Sequence, residues 1–215
     1  MKKAIVFDCD GTLIASMGIV QEVLALALSK ILDRSVTLKE VLEKYDSKLE
    51  QLNKNFHLTT EQIDELQVVW SEMSLSSAYS YQLFPGIKQL LETLKEQDFS
   101  LFVWTARDRY STIEILKKLN VLHYFLDLKT ATDTEIKPHP AGLISMLPDF
   151  NPKDVLVVGD SYTDILGAKH FGAKAIGALW CPSAKADVLK EMGAFRLAKT
   201  PKDCYHHILE WIEIK

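Results

Sequence analysis

A chain of 215 residues has room for one large domain, or for one domain carrying an insertion. Its 47% hydrophobic and 25% charged residues are those of an ordinary globular protein, and a net charge of -4 argues against a dedicated nucleic-acid binder, which carries a basic face. Gln21 and Glu22 interrupt the apolar stretch from Val20 to Leu28, Lys2-Lys3 lead into only four apolar residues, and Cys9, Cys181 and Cys204 are scattered; a membrane span, a signal peptide and a disulfide or zinc framework are therefore all disfavoured, and a reduced cytoplasmic setting with no membrane partner is expected.

In chain order, Ala4-Ile5-Val6-Phe7 is a run of strand formers that stops at Asp8-Cys9-Asp10-Gly11-Thr12. Met17 to Leu32 has apolar residues at helical spacing (Val20, Val23, Leu24, Ala27, Leu28, Ile31). Thr37-Leu38-Lys39-Glu40 reads as a capping box that starts one helix reaching about Asn53, and Thr59-Thr60-Glu61-Gln62 repeats the device before a helix reaching about Ser74. Residues 15–82 are thus expected to be wholly helical.

After Pro85-Gly86 the rhythm changes to helix then strand. Ile87 to Glu96 predicts a helix, Phe99 to Trp104 a buried strand, Tyr110 to Leu119 a helix, and Leu126 to Thr130 a weaker strand. Ala141 to Leu147 predicts a short helix, Asp154 to Val158 the clearest strand, Ile165 to Phe171 a helix and Ala173 to Leu179 a strand, with Ala184 to Met192, Phe195 to Ala198 and Pro201 to Ile212 closing the series. Alternating strands and helices imply a parallel sheet covered on both faces. The expected fold is α/β, a Rossmann-like parallel sheet with helices on both faces, formed by residues 1–14 and 83–215, with residues 15–82 inserted as an all-helical cap.

Polar residues end three of these strands: Asp8 and Asp10 the first, Thr105 the second, Asp160 the fourth. By itself the first group is compatible with an acidic turn after an edge strand. Parallel strands, however, place their carboxyl ends on one edge of the sheet, where ligands bind. Asp164 lies four residues after Asp160, and Lys137 sits in a loop stiffened by Pro138. Such converging carboxylates repel unless a cation joins them, and hard oxygen ligands suit magnesium. A threonine hydroxyl, a lysine ammonium and loop N–H groups match the oxygens of a phosphoryl group. Together they describe a magnesium-assisted phosphoryl-transfer site.

The ordered set Asp8-x-Asp10-Gly11-Thr12, Thr105, Lys137-Pro138 and Gly159-Asp160-x-x-x-Asp164 resembles the haloacid dehalogenase-like hydrolase superfamily, and the resemblance runs over essentially the whole chain. It is nearest to the subgroup with a helical cap after the first motif, which includes phosphoglycolate phosphatases and β-phosphoglucomutases. The resemblance implies that Asp8 attacks phosphorus and forms an aspartyl-phosphate, while Asp10 protonates the leaving alcohol and then activates water. It implies Mg2+ held by Asp8, by Asp10 through its backbone carbonyl and by Asp160, with Asp164 in or near that set. Thr105 and Lys137 would bind the phosphoryl oxygens, and backbone around Gly11 would complete the cradle. Ala106 and Arg107, which follow Thr105, join Gly11, Thr105 and Lys137 as substrate-binding candidates.

Other residues take plainer readings. Cys9 is expected to pack, Arg107 to form an ordinary salt bridge with Asp108 or the cap, His139 to be structural and Trp180 to cover the core. His206 and His207 lie far from any strand end. Ala15-Ser16 stands where relatives often carry an aspartate before the serine, which weakens inference of substrate. On the cap, Lys44, Tyr45, Lys48 and Lys54 are candidates for substrate contact. The expected function is a magnesium-dependent phosphatase acting on a small organic phosphate monoester, phosphoglycolate being the first guess, with the small phosphorylated metabolite as partner and a monomer or homodimer as the assembly. A sugar phosphomutase is the nearest alternative, and a non-catalytic signalling or binding protein phosphorylated on aspartate is an alternative of a different class.

Overall fold

The computed structural model describes residues 3–46, 48–76 and 79–213. Six strands form one sheet in the order β3-β2-β1-β4-β5-β6: β1 (Ala4–Phe7), β2 (Ser100–Trp104), β3 (Asp127–Lys129), β4 (Val155–Gly159), β5 (Lys174–Ala178) and β6 (Arg196–Ala198). Every pairing is parallel. β1 is central, with Phe7 opposite Val103 on one side and Val158 on the other. The chain therefore reverses its direction of winding at β1, and ligand sites form at such a switch point, beyond the carboxyl ends of the strands.

The continuous apolar runs of β1, β2 and β4 are wholly buried because helices cover both faces. Ile5, Phe7, Leu101, Val103, Leu156 and Val158 point to one face, where they meet α5 (Ile87–Glu96), α6 (Arg109–Lys118) and α10 (Pro201–Glu213). Ala4, Val6, Phe102, Trp104, Val155 and Val157 point to the other, against α7 (Ala141–Met146), α8 (Tyr162–Phe171) and α9 (Ala186–Glu191). Each large side chain buried this way stabilises the fold by about 1.5–3 kcal/mol relative to exposure.

The inserted segment contributes α1 (Met17–Ile31), α2 (Leu38–Lys44), α3 (Leu49–Asn55) and α4 (Thr60–Ser74), and among its described residues there is no strand. It has an apolar cluster of its own, in which Leu24 and Leu28 of α1 meet Val41, Leu52, Leu66 and Val69. At the junction, Ile14 bridges Leu83, the Ala15 N–H donates to the Gln82 carbonyl at 2.8 Å, and the Phe84 N–H donates to the Leu13 carbonyl at 3.1 Å. The two connecting segments thus lie side by side. No helix among the described residues is long and apolar enough to cross a membrane.

One expected element is divided. The helix from Thr37 to Asn53 breaks after Lys44, because Tyr45 takes an extended backbone (φ -62°, ψ 134°) and the Asp46 side chain accepts from the Lys48 N–H at 2.7 Å. Aspartate favours such local turns over continued helix. The Thr37 hydroxyl does accept from the Glu40 N–H, but Glu40 turns its carboxylate to Arg34 and Lys44 instead of completing a box. The complete capping box is at Thr59 and Gln62, opening α4.

Candidate active site

The ends of β1, β2 and β4 place Asp8, Thr105 and Asp160 on one edge of the sheet. α8 follows β4 at once, with Ser161 as its N-cap and Asp164 at its third position, so the first turn of the helix carries Asp164 back towards β1. Carboxylate oxygens of Asp8, Asp160 and Asp164 lie within 4.8 Å of one another. The Lys137 ammonium bridges two of them, donating to Asp8 Oδ1 and Asp164 Oδ1 at 2.6 Å each, and it stands 4.8 Å from the Trp104 ring. Lys137 is only 4% exposed and Asp164 only 1%. Asp164 spends its other oxygen on the Ser161 N–H and hydroxyl, at 3.0 and 2.7 Å, so it is the anchor that holds Lys137 over Asp8.

Burial pushes the Asp8 carboxyl well up; Asp164 and Asp160 add to this, and Lys137 opposes it. Burial, with the negative charge of Asp164 added, also pushes Asp160 up to about 7. Three crowded carboxylates against one ammonium leave an excess of negative charge, and the donors are hard oxygens. A small divalent cation fits this set. Gly11 has φ +83°, and a Cβ there would overlap the Asp160 carboxylate, so glycine is what lets this loop pack so close to Asp160. Among the described residues the histidines join no such cluster.

Asp10 has a different surrounding. The Arg107 guanidinium grips its carboxylate with two hydrogen bonds, at 2.8 and 2.7 Å, and the Ser16 hydroxyl donates to it at 2.5 Å. Burial pushes this carboxyl up, but the charge and hydrogen bonds of Arg107, with that of Ser16, outweigh burial and hold it below the usual carboxylate range. Arg107 is further held over the Tyr81 ring at 5.3 Å. The expected salt bridge between Arg107 and Asp108 does not form. Asp108 caps α6 instead, accepting from the Ser111 N–H at 2.9 Å, which turns its carboxylate away from its neighbour in sequence. Thr105 is buried, and its hydroxyl accepts from the Arg107 N–H at 3.1 Å.

A cavity of about 850 Å³ lies between these strand ends and the inserted helices, and Asp8, Asp10, Thr105, Ala106, Arg107, Lys137 and Asp160 all line it. The model of the haloacid dehalogenase-like hydrolase family matches residues 5–178, a span that holds every one of these groups. The chain belongs to that family.

Among individual relatives, a phosphoglycolate phosphatase of Mannheimia succiniciproducens is 40% identical over 99 residues, which are 45% of this chain and 44% of that protein. The match thus spans under half of that enzyme. The pyrophosphatase PpaX of Bacillus thuringiensis is 28% identical over 192 residues, 85% of both chains. In structure, a predicted phosphatase from Clostridium acetobutylicum superposes with a TM-score of 0.86 at 19% identity, covering 98% of this chain and 99% of that one, which shows a shared fold.

Several side chains of this haloacid dehalogenase-like site escape a reading by motif. Ser16 reaches Asp10 from the start of the insertion, and its position at that junction was the only signal in the sequence. Trp180 packs against the core as expected, and its indole N–H also donates to the Thr12 carbonyl at 2.9 Å, pinning the loop after Asp10. On the insertion, Tyr45 lines the cavity, whereas Lys44, Lys48 and Lys54 do not; they pair with Glu40 and Glu50. Tyr162 of α8 donates to Asp46 at 2.9 Å, a contact between core and insertion. Cys9 is fully buried, and His139 is exposed, accepting from the Ala141 N–H at 3.2 Å.

Proposed function

We propose that this hydrolase is a magnesium-dependent phosphatase that cleaves a small organic phosphate monoester through an aspartyl-phosphate. The observation that carries the reading is Lys137 bridging Asp8 and Asp164 at the floor of the cavity, with Asp160 beside them. A lone buried carboxylate would be a poor nucleophile toward an anionic phosphate. One steadied by an ammonium, in an acidic cluster whose oxygens fit a cation, is positioned to attack. A phosphoglycolate phosphatase and a pyrophosphatase among the relatives support phosphoryl chemistry.

In this mechanism an Asp8 oxygen forms a bond to phosphorus as the bond from phosphorus to the leaving oxygen breaks. Asp10 supplies the proton that the leaving alkoxide takes. Water then attacks the aspartyl-phosphate, Asp10 accepts its proton, and phosphate and free Asp8 are restored. Thr105 and Lys137 receive the phosphoryl oxygens and side chains at Ala106 and Arg107 border them, whereas the Gly11 N–H, expected in the cradle, donates to the Ile14 carbonyl at 2.9 Å. Asp8, Asp160 and the Asp10 carbonyl would hold Mg2+, which when bound supplies positive charge at the phosphoryl oxygens, while Asp164 keeps Lys137 in place. The grip of Arg107 favours the ionised, base form of Asp10, so proton donation requires that grip to loosen as substrate enters. Three buried free cysteines agree with a reducing, cytoplasmic setting.

The test is phosphate release from a panel of phosphate monoesters, with and without Mg2+, by the native protein and Asp8→Asn. Turnover that requires Mg2+ and falls by at least about 10³-fold in the variant, with the melting curve retained, is expected. Substantial turnover by Asp8→Asn, or sugar-phosphate isomerisation without net phosphate release, would contradict the reading.

A further inference from the structure

Two chemically different walls enclose the cavity above Asp8. Among the described residues, every cation that lines it belongs to the core wall: Arg107, Arg109, Lys137 and Lys185. Three of the four are engaged. Arg107 holds Asp10 at 2.7 Å, Arg109 holds Asp133 at 2.9 Å, and Lys137 holds Asp8 and Asp164 at 2.6 Å. Lys185 stands exposed just before α9, where an ion pair is worth little.

The wall contributed by residues 15–82 has the opposite character. Met17, Val20, Ile63, Leu66 and Trp70 make it apolar, and Tyr45, Asn53, Gln67 and Ser71 add neutral polar groups. Its charged members are Asp46 and Glu72, both acidic. No lysine or arginine of the insertion lines the cavity among the described residues. Asn53 is 9% exposed, and its side-chain oxygen has no hydrogen-bond partner among the described residues. That oxygen accepts an O–H or N–H and repels a carboxylate.

We propose, resting on the phosphatase reading above, that the alcohol esterified to the phosphate is uncharged, carries a ring with an apolar face, and is larger than a two-carbon acid. With the phosphate on Thr105 and Lys137, the rest of the substrate must project towards the insertion. A carboxylate against that wall would meet two acids and, among the described residues, no cation of the insertion, losing its hydration without gaining a partner there; Lys185, exposed to solvent, lies on the opposite wall. An apolar ring exchanges water for contact against the half-buried Met17, Ile63 and Trp70. At about 850 Å³ the cavity is within the range that encloses drug-sized ligands. A phosphoglycolate molecule would fill a small part of it. Closure of the insertion over the core would narrow the space, but it would not place a cation on that wall.

The experiment compares kcat/KM with Mg2+ for benzyl phosphate and uridine 5′-monophosphate, both alkyl esters of uncharged ring alcohols, against phosphoglycolate and ethyl phosphate. The ring esters are expected to exceed phosphoglycolate by about 100-fold. Ser71→Lys, which adds a cation to the insertion wall, should narrow that gap by about tenfold while the melting temperature stays put. Phosphoglycolate turned over as well as the ring esters overturns the proposal and leaves the phosphatase reading standing. Ethyl phosphate equal to benzyl phosphate overturns the ring. Phosphate release from no ester at all overturns the phosphatase reading and this inference with it.

Discussion

Arg107 and Asp10 form the most consequential pair of side chains that motif order does not announce. The guanidinium is 6% exposed and the carboxylate 18%, so neither is stabilised by water as a surface ion would be. Removing one partner strands the other. Arg107→Met is expected to cost about 3 kcal/mol at neutral pH, measured by urea melts. The pH dependence has a definite sign. Arg107 holds the folded carboxyl below its unfolded value, so the stability it contributes is present above the unfolded value and lost as pH falls through the folded one. The deficit of the variant should therefore shrink in acid, where Asp10 is protonated in both proteins. A deficit that grows in acid would contradict this account.

Among the elements, α4 contributes most to the chemistry of the insertion wall, because Ile63, Leu66, Gln67, Trp70, Ser71 and Glu72 all belong to it. Its start is fixed by the complete capping box, in which Thr59 accepts from the Gln62 N–H and Gln62 returns a bond to the Thr59 N–H at 3.0 Å. An N-cap of this kind is worth about 1 kcal/mol. Thr59→Ala should lower stability by that amount and raise hydrogen exchange in the first turn of α4, while α8 and the sheet exchange as before. Equal loss of protection at Thr59 and in β4 would show the cap to be irrelevant locally. The Thr37 hydroxyl bond, without a returning side chain, opens a helix of only seven residues. The same sequence pattern thus gave a full box at one site and half of one at the other, because Arg34 and Lys44 compete for Glu40.

At the scale of the whole molecule, the sheet concentrates negative charge at its carboxyl edge, where Asp8, Asp160 and Asp164 cluster against a single lysine. Such crowding opposes folding until a cation binds, since ligands that bind the native state stabilise it. Asp160→Asn should raise metal-free stability by about 1 kcal/mol through relief of repulsion, and abolish the rise in melting temperature that Mg2+ gives the native protein. A native melting temperature indifferent to Mg2+ would count against the assigned metal set, whatever the activity assays show.

The sequence alone determined the layers of the core and the ends of its strands. Runs such as Ala4–Phe7 and Val155–Gly159 are long enough, apolar enough and bounded sharply enough to admit only buried strands. The residues that stop them, Asp8 and Asp160, are too costly to bury without a purpose. Thr105, Asp160 and Asp164 were legible for the same reason, since each follows a strand whose direction fixes where it points, whereas Lys137, in a loop away from any strand end, was legible only beside Pro138 and in the order of the motifs. What the tertiary structure decided lies across distances that no local pattern encodes. Arg107 reaches Asp10 over 97 positions in sequence, and Trp180 reaches Thr12 over 168. The break after Lys44 and, among the described residues, the absence of a cation on the insertion wall likewise depend on which groups pair elsewhere, Asp46 with Lys48 and Tyr162, and the cap lysines with Glu40 and Glu50. Backbone periodicity is a local property and can be read along the chain, whereas the partner of a charge is settled by whichever opposite group the packed fold brings nearest.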